Sequence, residues 1–130
     1  MVFIGTMDDR VVTWIAKKQD VEGCTDATIE GRYGLIQNGT IFGRGLAGAV
    51  GVIAFDGKGN ESYVATQAFE DTGIVRRSLT GTYKVSEDCT GSSALGESAT
   101  QDFVIVDGGR EMLWIAARDD RVLTWVLTKQ

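Results

Sequence analysis

Arg77 is the side chain in this sequence best suited to grip a negative charge from inside a fold. It shares strand parity with Leu79, Tyr83 and Val85, so in a half-buried strand it points where they point. An arginine so placed can hold a carboxylate or an enolate. The alternative is a strand-end residue whose head reaches solvent, and a break in pairing at Arg76-Arg77 would also swap the parity. Tyr33, Gln37 and Tyr83 can orient a ligand from the same wall, or simply fill a small core. Trp125 and Trp14 either line a cavity or pack at a subunit contact.

Histidine is absent. That removes Ser-His-Asp and Cys-His catalysis, and most zinc sites with them. Any acid–base work falls to Asp, Glu, Tyr or Lys. The stretch "DGKGNE" at 56–61 is faintly like a calcium loop, but Lys58 stands where a third-position ligand belongs. No metal and no cofactor are therefore expected. Asn38-Gly39-Thr40 and Asn60-Glu61-Ser62 fit the glycosylation pattern, a triplet common by chance. Cys24 and Cys89 are a redox or metal pair, two inert thiols, or a structural disulfide. With no histidine to complete a metal site, the disulfide is the preferred reading for an oxidising compartment.

These residues need elements to position them. The chain has 130 residues, 17 of them glycine and none proline, which is most simply one domain. Val, Ile, Thr, Tyr, Phe and Trp recur in short runs broken by Asp-Gly, Asn-Gly and Gly-Gly, the pattern of an all-β chain with tight turns. Strands are expected near Tyr33–Phe42, Ala47–Phe55, Glu61–Phe69, Ile74–Val85, Ser92–Ala99, Gln101–Val106, Glu111–Ala117 and Val122–Lys129. A short helical turn is expected around Thr25–Glu30, capped by Thr25 or Asp26. Eight hairpin-linked strands predict an eight-stranded antiparallel up-and-down barrel, with a two-sheet sandwich as the alternative. The net charge of −5 without a basic stripe argues against nucleic acid. No apolar run is long enough to span a membrane.

Three strands fail to alternate. "DFVIVD", "MLWIAA" and "VLTWVL" are apolar on both faces, so both faces should be covered. In a barrel one cover is the interior; the other would be a partner subunit or another piece of the chain.

The most specific feature is a repeat. Displaced by 111 positions, residues 1–19 fall on 112–130 without a gap. Met1, Ile4, Asp8, Asp9, Arg10, Val11, Thr13, Trp14, Lys18 and Gln19 recur as Met112, Ile115, Asp119, Asp120, Arg121, Val122, Thr124, Trp125, Lys129 and Gln130. Residues 1–19 thus read as a second copy of the last hairpin, ahead of a barrel domain at 20–130. One barrel has room for one of the two. The other would expose an apolar ribbon, so a homo-oligomer is expected, built by exchange or side-by-side addition of the hairpin. Val11, Trp14, Ile15 and Trp114 are its expected contacts.

From Cys24 onward the chain resembles a group of small bacterial exported proteins of unassigned function. The resemblance rests on "CTDATIEGRYG" at 24–34, "FDGKGN" at 55–60, "LTGTYKVSEDCTG" at 79–91 and "DFVIVDGGREM" at 102–112. It implies a calycin-type barrel of the allene-oxide-cyclase-like sort. Both cysteines fall in matching blocks, which adds weight to the disulfide. The resemblance also implies an exported or periplasmic protein. Residues 1–20, however, do not read as a signal peptide, because Asp8, Asp9 and Arg10 interrupt any apolar core. Two functions follow as expectations. The first is a binding module for a small apolar ligand, or a structural domain without one, with Tyr33, Gln37, Arg77, Tyr83 and Trp125 as candidate contacts. The alternative, by analogy with relatives of that barrel shape, is a cofactor-independent cyclase or isomerase acting on a polyene or polyketide chain in the cavity.

Overall fold

The computed structural model describes residues 2–5, 12–96 and 99–130. Ten strands run in chain order: β1 (Val2–Ile4), β2 (Thr13–Ile15), β3 (Gly31–Ile41), β4 (Gly45–Phe55), β5 (Asn60–Phe69), β6 (Gly73–Val85), β7 (Thr90–Leu95), β8 (Ala99–Val106), β9 (Glu111–Ala116) and β10 (Arg121–Lys129). Strands β3 to β10 form a closed antiparallel barrel in sequence order, with β10 returning to pair with β3. β1 and β2 form a separate two-stranded sheet and do not enlarge the barrel. The turn expected at Met7-Asp8-Asp9-Arg10, and Val11, lie outside the described residues.

Strand ends follow turn chemistry. Asp56 accepts hydrogen bonds from the backbone N–H of Lys58 (2.7 Å) and Asn60 (3.0 Å) and from the Asn60 amide (2.8 Å). This Asx arrangement folds the β4–β5 hairpin. The β8–β9 turn takes Asp107, Gly108 and Gly109 through positive φ, where glycine carries no Cβ penalty. Closure depends on Gly39: a Cβ there would collide with the Val122 carbonyl of β10.

Most strand ends fall within two residues of expectation, and one differs by more. The strand expected at Ser92–Ala99 runs instead from Thr90 to Leu95. Gly96 turns the chain at φ +70°, and Ala99 opens the next strand. The helical turn is a 3-10 turn at Asp26–Ile29, with Thr25 at its N-cap and the Thr25 N–H donating to Thr28 Oγ1.

That turn belongs to a segment, residues 20–30, that seals one end of the barrel. Ile29 is fully buried, and Cys24 is disulfide-bonded to Cys89 in the β6–β7 turn. The Tyr83 hydroxyl donates to Asp26 O (2.9 Å), Val85 N to Asp26 Oδ1 (2.8 Å), and the Tyr33 hydroxyl to Gly109 O. The second apolar face of β8 to β10 is only partly covered. Val106 is buried near the point where Lys18 O accepts from Asp107 N, but Val122, Ile115 and Val126 remain exposed.

Candidate functional site: the open half of the barrel

The barrel interior is filled at one end and hollow at the other. At the closed end Tyr33, Phe55 and Tyr83 form edge-to-face pairs with ring centroids 5.5 and 5.0 Å apart, a favoured aromatic geometry. Phe103 stacks on Trp114 at 5.1 Å, and Trp114 meets Trp125 edge-on at 6.4 Å. Above this aromatic floor lies a cavity of about 260 Å³, just below the roughly 300–1,000 Å³ of ordinary ligand pockets. It suits a small ligand.

The cavity has an apolar lower wall and a polar upper one. Leu35, Ile53, Leu127, Trp114 and Trp125 line it below. Gln37, Tyr63, Gln67 and Gln101 bring polar groups to it, and Arg44, Arg77, Arg118 and Arg121 ring the mouth. Three of these arginines have acidic neighbours. Arg44 is clamped on Asp71 (2.8 and 3.0 Å), while Arg118 and Arg121 meet Asp120 (3.2 and 2.9 Å). Arg77 has no ion-pair partner among the described residues, and its charge acts on the Tyr63 hydroxyl, lowering a pKa that burial raises.

Several interior polar atoms lack partners. Gln101 Oε1 and Trp114 Nε1 belong to residues about 95 % buried, and Gln67 Oε1 is buried as well; none makes a hydrogen bond among the described residues. All three side chains line the cavity. Buried polar atoms without partners are costly, and here two amide oxygens and an indole N–H belong to side chains that line one cavity. Deeper in the barrel, Ser93 donates to Glu61 Oε1 while Glu61 Oε2 has no partner among the described residues. Burial pushes the Glu61 carboxyl up to about 7 despite that hydrogen bond. Glu61 does not line the cavity.

The structure divides the five candidate contacts. Gln37, Arg77 and Trp125 line the cavity. Tyr33 and Tyr83 stand at the closed end, with their hydroxyls committed to backbone carbonyls. Arg77 lies between its two readings: its side chain lines the lumen, yet it sits at the rim and is exposed. Trp114, expected at a subunit contact, is buried against Phe103, whereas Trp14 and Ile15 are exposed on the separate hairpin. Tyr63, Gln67, Gln101 and Glu61 went unnoticed in the sequence. The available signal was a polar residue on the inward parity of an otherwise apolar row. No protein-family model, curated protein or solved structure matches the chain.

Proposed function

We propose that the hollow half of the barrel binds a small, largely apolar ligand carrying one polar or anionic group. The apolar part would rest against Trp114 and Trp125, and the polar group would meet Arg77 at the mouth, with Gln67 Oε1 and Gln101 Oε1 left to accept from a hydroxyl. The observation that carries this reading is that one cavity is lined by three side chains with a buried unpartnered polar atom, Gln67 Oε1, Gln101 Oε1 and Trp114 Nε1, and by Arg77. A calycin-type, allene-oxide-cyclase-like barrel, the class the sequence resembles, accords with such a calyx. Binding is favoured over cyclisation because Glu61, the one buried carboxyl among the described residues, is not on the cavity wall. Titrating the protein with octanoate and with octanol, and following tryptophan emission, tests the reading. Octanoate should quench emission and bind more tightly than octanol. Arg77→Ala should reduce that preference about five- to tenfold, the scale of an interaction of about 1 kcal/mol at an exposed charge. Equal binding of both, or of neither, would count against it.

The separate hairpin supports self-association as a second property. Val2, Ile4, Trp14 and Ile15 are each more than half exposed, and an isolated hairpin is marginal in water. Each chain has two hairpins for one barrel position, so exchange between copies would always leave one over. Side-by-side pairing of the spare hairpins buries them, with a symmetric dimer the default geometry.

A further inference from the structure

The two copies of the hairpin share more than sequence. In β1–β2 the paired residues are Val2 with Ile15, Phe3 with Trp14 and Ile4 with Thr13. In β9–β10 they are Leu113 with Val126, Trp114 with Trp125 and Ile115 with Thr124. Adding 111 to each number of the first set yields the second. The register is therefore the same, and Phe3 and Trp14 hold the positions of the two tryptophans that floor the cavity. Their surroundings are opposite: Trp114 and Trp125 are buried, while Phe3 and Trp14 are about half exposed.

Both copies also reach the barrel at the same place. Lys18 O accepts from Asp107 N, and its counterpart Lys129 donates its N–H to Arg110 O. These two contacts flank the β8–β9 turn at the closed end. β10 ends there beside the start of β3, with Lys129 opposite Tyr33. β2 leads into β3 through residues 16–30 from that same end, so it can lie antiparallel to β3 without rethreading the chain.

We propose that residues 1–19 are a second closing pair for the barrel, able to replace β9–β10 between β8 and β3 and release residues 111–130. The same eight-stranded barrel would then be built from β1 to β8. The two closures differ in what they present to the lumen. Phe3 replaces Trp114, Gly5 replaces Ala116, Val12 replaces Leu123 and Ala16 replaces Leu127. Every exchange is to a smaller side chain. The observed closure buries more and is the ground state, and the second closure has a wider lumen. A ligand too bulky for the observed cavity would favour the second closure by binding only there. That last consequence rests on the lumen being a binding site; the strand replacement does not.

Hydrogen exchange on the full-length chain tests the replacement. In the monomer fraction of the unaltered protein, peptides from 111–130 should be protected and those from 1–19 should exchange freely. Leu127→Asp puts a charge in the core of the observed closure. A second chain combines Leu127→Asp with Phe3→Trp, Val12→Leu and Ala16→Leu, which restores the bulk of the replacement pair. In that chain the monomer fraction should invert, with 1–19 slowed at least tenfold, 111–130 released, and 31–106 still protected. Adding Trp14→Asp should abolish the inversion. Loss of protection across 31–106 in the restored chain, or free exchange of 1–19, would overturn the proposal, as would inversion confined to dimers. If the inversion holds but octanoate fails to bind, the lumen reading falls and the replacement stands.

Discussion

Glu61 shows how much one buried polar residue can set. Its side chain is almost fully buried on β5, with one oxygen held by Ser93 and the other without a partner among the described residues. The folded chain holds this carboxyl up at about 7 against an ordinary value of 4.5. An acid raised in this way favours the folded state while it is protonated. Its contribution is complete below the unfolded value and is lost as pH rises through the folded one, a loss of about 3 kcal/mol. The surface carboxyls of Asp56, Asp71, Asp88 and Asp120 are held low by hydrogen bonds, so they act at more acid pH, outside this window. The urea midpoint should therefore fall between pH 5 and pH 8. Glu61→Gln should flatten that slope and raise the midpoint at pH 8; an unchanged slope would assign the effect elsewhere. In the sequence the parity of Arg77 was legible, because the β5–β6 register runs unbroken from Gly73 to Thr82. Its height was not. Tyr83 shares that face six residues along yet ends in the sealed half, because height depends on how staggered strands meet around the barrel.

At the scale of elements, turn chemistry carried most of the fold. Asp56, Asp88 and Asp107 each end a strand by offering a carboxylate to nearby donors, and such residues are visible in a sequence. The largest difference at a strand end lay at Gly96, where "ALGESAT" offers no Asp or Asn to mark the turn and small residues suit either state. The sealing segment was legible only in part. Thr25 and Asp26 signalled a capped turn, but that Asp26 would reach across to Val85 and Tyr83 is a tertiary fact. The Cys24–Cys89 bridge spans 65 residues, and closing a loop of that size is worth about 4 kcal/mol in the chain-entropy model. Reduction should lower stability by that order and loosen the closed end first. Hydrogen exchange of peptides from 20–30, with and without reductant, reads this directly; equal protection in both states would show that the segment holds without its bridge.

For the whole molecule, closure is the organising fact. A closed barrel has no edges to pair, so the repeated hairpin has no place in it and stands apart. Deleting residues 1–19 should leave the barrel folded and convert an associating protein into a monomer by light scattering. A full-length protein that stays monomeric at high concentration would rule out self-association through the hairpin. The repeat itself was plain in the sequence. What the sequence could not convey was that the barrel is filled at one end and hollow at the other, because that depends on aromatic side chains from six strands, β3, β4, β6, β8, β9 and β10, packing together.

The central claim is that the hollow half is where a ligand sits, and filling it is the most direct test. Ala116 lines the cavity from β9, and Ala116→Leu would place three further carbon atoms in that space. Calorimetric titration with octanoate should show binding to the unaltered protein and at least tenfold weaker binding to Ala116→Leu, whose urea midpoint should be unchanged or higher. Undiminished binding by a folded Ala116→Leu protein would contradict the account, because the ligand would then sit elsewhere.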